Sequence, residues 1–285
     1  MNLTEPDGLP PTYVMTHDGV RLATYLHSAA GPTAEGRSTS EPAADGNAAD
    51  ALHDTAPLVV AVHGFASSAA LNWDVAGWTR TLTRAGYRLL TIDQRGHGAS
   101  DKPHDADSYG VDTLMNDVIA VLDAYGFDVV HYLGYSLGAR VGWRIGVKHP
   151  SRVHTLSLGG LPEGDPLRTF DLDAARAHAA TSSEVHDALT ASYVSMVEGV
   201  PGNDLEALIA LVEGMRSGAQ PSTEETPTVP ALLVSGDQDA IAEGSRRLAA
   251  ATPGAEFVSL PGRNHVNAVS SRGFKDAVLA FLAAH

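Results

Sequence analysis

The ten residues from His131 to Arg140, His-Tyr-Leu-Gly-Tyr-Ser-Leu-Gly-Ala-Arg, restrict the fold of this 285-residue chain more than any other stretch. An apolar run over 129–133 ends in Gly134. Gly-Tyr-Ser-Leu-Gly follows, and then Ala139, Val141, Gly142 and Ile145 recur at helical spacing. The pattern predicts a strand, a reversal at Ser136 and a helix. Strand and helix must approach closely where the chain doubles back, and a Cβ at either flanking glycine would obstruct that approach. The turn thrusts the serine oxygen out beyond the strand. The N–H of Leu137 falls on the first helical turn, where amides lack partners and the helix dipole favours negative charge.

Around this segment the chain alternates. Segments 12–16 and 21–27 flank an Asp-Gly pair and predict a hairpin. Segment 58–62 is wholly apolar, as in a strand buried on both faces, and leads into His63-Gly64-Phe65. A helix carries Leu71, Val75, Trp78, Leu82 and Ala85, with Gly86 as its stop. A strand over 87–93 runs into Gln94-Arg95-Gly96-His97-Gly98-Ala99-Ser100, and a helix follows over 111–125. After the Ser136 segment comes a strand over 153–158. The alternation predicts a mostly parallel sheet, eight strands in all, with helices on both faces. It then breaks: 161–227 is mostly helical, with helices expected over 174–180, 183–197 and 205–215. Strands at 231–235 and 256–260 and helices at 242–251 and near the C-terminus complete the set. The expected organisation is therefore an α/β core, 1–160 and 228–285, interrupted by a helical lid, 161–227, over the strand ends where open sheets bind ligands. Segment 28–57, rich in small and polar residues without periodicity, reads as a flexible insertion within the core.

Composition narrows the function. The net charge of −15 argues against nucleic acid and anionic membrane surfaces as partners. No cysteine is present, which excludes disulfides, thiolate metal sites and cysteine nucleophiles. The thirteen histidines show no metal-binding spacing. The first eleven residues lack a basic segment followed by an apolar run, and no apolar stretch is long enough to span a bilayer. The expectation is a soluble cytoplasmic protein with a small-molecule substrate.

A serine hydroxyl is a weak nucleophile until a base takes its proton, and the base needs an acid to orient it. Gly236-Asp237-Gln238-Asp239 follows the strand at 231–235, and Pro261-Gly262-Arg263-Asn264-His265 follows the last strand. His265 and either Asp237 or Asp239 thus share with Ser136 the carboxyl edge of the sheet, in the chain order Ser, Asp, His.

These motifs resemble the α/β-hydrolase superfamily, in its lid-bearing branch of esterases, lactonases, C–C hydrolases and cofactor-free haloperoxidases. The resemblance implies the α/β-hydrolase fold, no cofactor and no metal. It selects Asp239, three residues after the glycine, as the acid. Asp237 becomes a turn residue, and Glu163 or Asp165 the less favoured alternatives at the preceding strand end. It implies an oxyanion hole from the N–H groups of Phe65 and Leu137, and a bracing role for Arg95 and His97. Tyr135 and Trp73 are further candidates for the substrate pocket. Asn264-His265 departs from the usual Gly-His. Relatives that open epoxides or remove halide use aspartate where this chain has Ser136, and favour proline where it has Phe65-Ala66. The activity implied is cleavage of a carboxylic ester, lactone or thioester through an acyl-enzyme on Ser136. Apolar residues such as Leu189, Val194, Leu208 and Leu211 in the lid point either to an apolar acyl or alcohol group on the substrate or to docking of the lid on the core. The same triad can serve C–C hydrolysis or perhydrolysis. A ligand receptor or scaffold that retains the triad is the reading of another class.

Overall fold

All five residues of β3, Leu58–Val62, are buried, because none offers a polar side chain to water and the strand is covered on both faces. Their side chains alternate: Leu58, Val60 and Val62 join one hydrophobic cluster, while Val59 and Ala61 join a second on the opposite face. A computed structural model describes residues 8–30 and 55–285. Among these residues eight strands form one sheet in the order β1-β2-β4-β3-β5-β6-β7-β8. They are β1 Thr12–Met15, β2 Arg21–His27, β3, β4 Arg88–Ile92, β5 Val130–Tyr135, β6 Val153–Gly159, β7 Ala231–Gly236 and β8 Glu256–Leu260. Pairing is antiparallel from β1 to β2 and from β2 to β4, and parallel elsewhere.

Five helices cover the sheet: α1 Trp78–Arg84, α2 Val111–Tyr125, α3 Leu137–Lys148, α7 Ala242–Ala251 and α8 Arg272–Ala284. Helices α2, α3 and α7 contribute Leu114, Val141 and Leu248 to the first cluster, and α1 and α8 contribute Leu82 and Phe274 to the second. The stretch expected as one helix from Leu71 to Ala85 is broken. A wide π-helical turn occupies Ala70–Val75, Gly77 takes φ +78°, and α1 starts afresh at Trp78. That left-handed conformation suits glycine and ends the first turn.

Between β6 and β7 lie α4 Leu172–Thr181, α5 Ala188–Glu198 and α6 Leu205–Met215. Each opens on an aspartate, Asp171, Asp187 or Asp204, whose carboxylate accepts an N–H of the first turn. The cap at Asp187 explains why α5 begins there and not at Ser183. Helix α6 anchors the insertion. Its Leu208 and Leu211 join the core cluster, and its Ile209 and Val212 join a third cluster with Phe170 and Val194. The flexible insertion expected over 28–57 falls mostly outside the described residues. Among the described residues no helix is long and apolar enough to cross a membrane.

The start of α3 crosses the end of β3 at backbone contact. A Cβ built on Gly138 would lie 2.0 Å from the Val62 carbonyl oxygen, and one on Gly134 would lie 2.4 Å from the Gly138 oxygen. Neither neighbour is a side chain that can swing aside. Gly138→Ala is expected to destabilise the protein by about 3 kcal/mol in denaturant unfolding, the upper part of the usual range for overpacking. A loss below about 0.5 kcal/mol, typical of a surface change, would contradict this geometry.

Candidate active site

Ser136 sits at the apex between β5 and α3 with φ +53° and ψ −110°. A non-glycine residue in such a region costs about 1–3 kcal/mol and persists only where its surroundings impose it. Here three backbone hydrogen bonds do so. Ser136 N–H donates to Gly159 O at 2.8 Å, Gly138 N–H to His63 O at 3.1 Å, and Arg140 N–H to Ser136 O at 3.0 Å.

His265 stands on the loop after β8. Its Nε2 lies 2.9 Å from Ser136 Oγ, and its Nδ1 lies 2.7 Å from Asp239 Oδ2. The Asp239 side chain is only 3% exposed, so it meets the imidazole in a largely dry setting. A carboxylate can only accept, so the proton belongs on Nδ1 and the Nε2 lone pair faces the hydroxyl. Asp237 turns elsewhere and accepts Gly262 N–H at 2.8 Å. Glu163 pairs with Arg247, and Asp165 accepts Leu167 N–H. The two loops are stitched together: Gln238 N–H donates to Arg263 O at 2.9 Å, and a Cβ on Gly236 would lie 2.0 Å from that same oxygen. Asn264, the departure noted before His265, accepts the N–H groups of Val266 and Asn267 and so forms the turn that presents the histidine. Tyr135 does not line the cleft beside Ser136. Its hydroxyl donates to His265 O at 2.5 Å, and its ring lies 5.6 Å from the imidazole.

Phe65 and Leu137 flank Ser136, and both line its cleft. Among the described residues neither N–H has a protein partner, so both are available to donate. The Phe65 loop is braced from beneath. Ala66, at φ +54°, donates its N–H to His97 Nε2 at 3.1 Å, while His97 Nδ1–H donates to Arg95 O at 3.1 Å. His63 Nδ1–H donates to Gly64 O, and its Nε2 accepts Gln94 N–H. Burial pushes both imidazoles toward the neutral form, His97 well below its ordinary range. Arg95 faces away from the cleft. It clasps Asp117 through Nε and Nη2 at 2.7 and 2.6 Å and reaches Asp18 through Nη1 at 2.8 Å.

The cleft beside Ser136 has a volume of about 30 Å³, room for about two waters. The insertion supplies its roof through Leu167, Tyr193, Leu211 and Met215. Trp73, expected as a pocket candidate, is wholly buried on the other side and packs edge-on against Trp78 at 6.1 Å. Two charged residues line the cleft: Asp165, expected only as a less favoured alternative for the acid, and Arg140, absent from the sequence expectations. Arg140 was legible in principle, since positions four apart on a helix share a face. A larger cavity of about 220 Å³, bordered by His104, Arg176 and Glu206, shares no lining residue with the Ser136 cleft.

The family model for the alpha/beta hydrolase fold matches residues 57–180. The chain is 32% identical over 124 residues to the AB hydrolase superfamily protein YfhM of Bacillus subtilis, covering 42% of this chain and 41% of that one. It is 40% identical over 99 residues to epoxide hydrolase B of Mycobacterium tuberculosis, covering 34% and 26%. The matched stretch therefore spans less than half of either curated relative. The crystal structure of the enol-lactonase from Burkholderia xenovorans LB400 superposes with a TM-score of 0.71 at 22% identity, covering 95% of this chain and 100% of that one.

The buried histidines tie stability to pH. On unfolding, His63 and His97 return to their ordinary value of 6.5 and take up protons that the fold excludes. Their contribution is complete above pH 6.5 and declines below it, for His97 by about 1.4 kcal/mol per pH unit. His97→Gln keeps a donor and an acceptor but cannot titrate. In denaturant unfolding between about pH 6 and pH 5, the wild type is expected to lose about 1.4 kcal/mol more than this variant. Equal losses would show that His97 is protonated in the folded state.

Proposed function

Because this chain has the α/β-hydrolase fold, we propose that it is a serine hydrolase that cleaves a carboxylic ester or lactone of a small molecule. The observation that carries this reading is the unbroken contact Ser136–His265–Asp239 at 2.9 and 2.7 Å. Ser136 Oγ attacks the carbonyl carbon while His265 Nε2 takes the hydroxyl proton. Asp239 holds the imidazole and stabilises its charged form. The carbonyl oxygen becomes an oxyanion, received by the N–H groups of Phe65 and Leu137 without reorganisation. The carbonyl re-forms, the leaving alkoxide departs with the proton from His265, and an acyl ester remains on Ser136. Water, deprotonated by His265, attacks that ester by the same route and releases the acid.

Relatives named as epoxide hydrolases raise the question of epoxide opening. Attack by Ser136 on an epoxide carbon would leave an ether, which has no carbonyl for water to attack, so the cycle would stop. Acyl transfer has no such block. The insertion, 161–227, acts as the lid: it roofs the cleft beside Ser136 through Leu167, Tyr193, Leu211 and Met215.

On p-nitrophenyl esters of graded acyl length, Ser136→Ala is expected to lower kcat by about 10⁴-fold or more. Asp239→Asn is expected to cost about 10⁴-fold by misplacing the imidazole proton. Asp237→Asn, at a residue that only braces Gly262, should stay within about threefold of wild type. Comparable losses at 237 and 239 would overturn the assignment of the acid.

A further inference from the structure

We propose that Arg140 determines specificity by binding a carboxylate on the substrate, so that the ester or lactone cleaved at Ser136 carries a second, ionised carboxyl group on its acyl portion. The kinetic form of this inference rests on the hydrolase reading above.

Arg140 lies one turn beyond Ser136 on α3, on the same helical face, and lines the same cleft. It is only 4% exposed. A guanidinium stays charged at any ordinary pH and presents five N–H donors in a flat fork. Among the described residues the side chain makes one hydrogen bond, from Nη2 to Gln220 Oε1, a neutral acceptor. Its buried Nε has no partner. The nearest carboxylate is Asp165, whose Oδ1 stands 3.9 Å from Nη2, beyond hydrogen-bond reach, and already accepts Leu167 N–H at 3.0 Å.

Arg95 shows what a structural arginine looks like in this same protein. Equally buried, it is clasped by two oxygens of Asp117 and reached by Asp18. Burying a charge is tolerated where such pairing and hydrogen bonding offset the loss of water. Arg140 has the burial, but its ion pair with Asp165 spans 3.9 Å without a hydrogen bond, and it has this inside the cleft beside Ser136. The neighbouring wall, formed by Phe65, Leu167, Leu211 and Met215, is apolar and cannot compensate it. A planar carboxylate matches the donor fork and converts an underused cation into a charge-assisted pair. With the reacting carbonyl held at Phe65 and Leu137, a carboxylate at Arg140 would fix the acyl chain at both ends. Asp165 supplies compensating charge at a distance while the cleft is empty, and it opposes the incoming anion.

The test compares p-nitrophenyl hydrogen adipate with p-nitrophenyl hexanoate, two esters of equal chain length that differ in the terminal carboxylate. Wild type is expected to favour the adipate ester in kcat/KM by about tenfold or more. Arg140→Met should abolish or reverse that preference. Arg140→Lys keeps the charge without the fork and should retain part of it. Asp165→Asn should increase it. A wild-type preference for hexanoate, or equal losses on both esters in Arg140→Met, would reduce Arg140 to a tie between α3 and the insertion and overturn the proposal. A binding experiment needs no turnover: adipate should raise the melting temperature of Ser136→Ala protein, whereas hexane-1,6-diol should not. The effect should vanish when Arg140→Met is added and persist only in part with Arg140→Lys. No adipate shift overturns the proposal. An adipate shift in a protein that hydrolyses neither ester upholds it and overturns the hydrolase reading instead.

Discussion

The carbonyl oxygen of His63 joins three of the segments that surround Ser136. It accepts Gly138 N–H at 3.1 Å, from the start of α3, and Gln94 Nε2–H at 2.7 Å, from the loop after β4. This sharing is possible only because residue 138 has no side chain, since any Cβ there would overlap the end of β3. The close crossing sets the position of Ser136 relative to Phe65. A Cβ on Gly64 would sit 3.3 Å from that of Ser136. The strained backbone at Ser136 is thus imposed by contacts on both sides of it, and its hydroxyl is held beside His265.

Electrostatics reinforce this geometry. His63 and His97 are buried and neutral, and each uses one ring nitrogen to donate and the other to accept, so they work as rigid spacers beneath the Phe65 loop. Asp93, also buried, accepts N–H groups from Ala69 and Ala99 and ties the same loop to the β4 turn. The helical insertion clasps the loop from above. Asn203 Nδ2–H donates to Ala66 O at 3.0 Å, and the Phe65 and Tyr193 rings lie 5.5 Å apart. The insertion thus touches both the Phe65 loop and the cleft that it roofs.

The parallel core was legible because apolar runs of four to seven residues, each followed by a helical period, have few other solutions. The site's backbone was legible for a related reason: Gly134, Gly138 and Gly236 mark close approaches whatever the neighbouring side chains are. Spacing alone could not choose between Asp237 and Asp239, which lie two residues apart at one strand end; the course of the turn separates them. The helix broken at Gly77 hid behind a continuous apolar period, and the late start of α5 followed from a cap, Asp187, inside an otherwise acceptable helical stretch. Trp73 has the size of a pocket residue, but its helical turn faces the α1–α8 side of the sheet. Arg140 escaped notice because a charged residue on a helix is ordinarily solvated, and its burial arises from the insertion folding over it.

The proposed chemistry requires a covalent bond between Ser136 and substrate. Its most direct measurement is mass-spectrometric peptide mapping of protein treated with a fluorophosphonate, a reagent that phosphonylates only an activated serine and expels fluoride. The account predicts one adduct, on the peptide containing Ser136, formed in step with loss of ester hydrolysis and absent from His265→Ala protein. Unmodified Ser136 in a protein that still turns over ester, or equal labelling when His265 is removed, would contradict it.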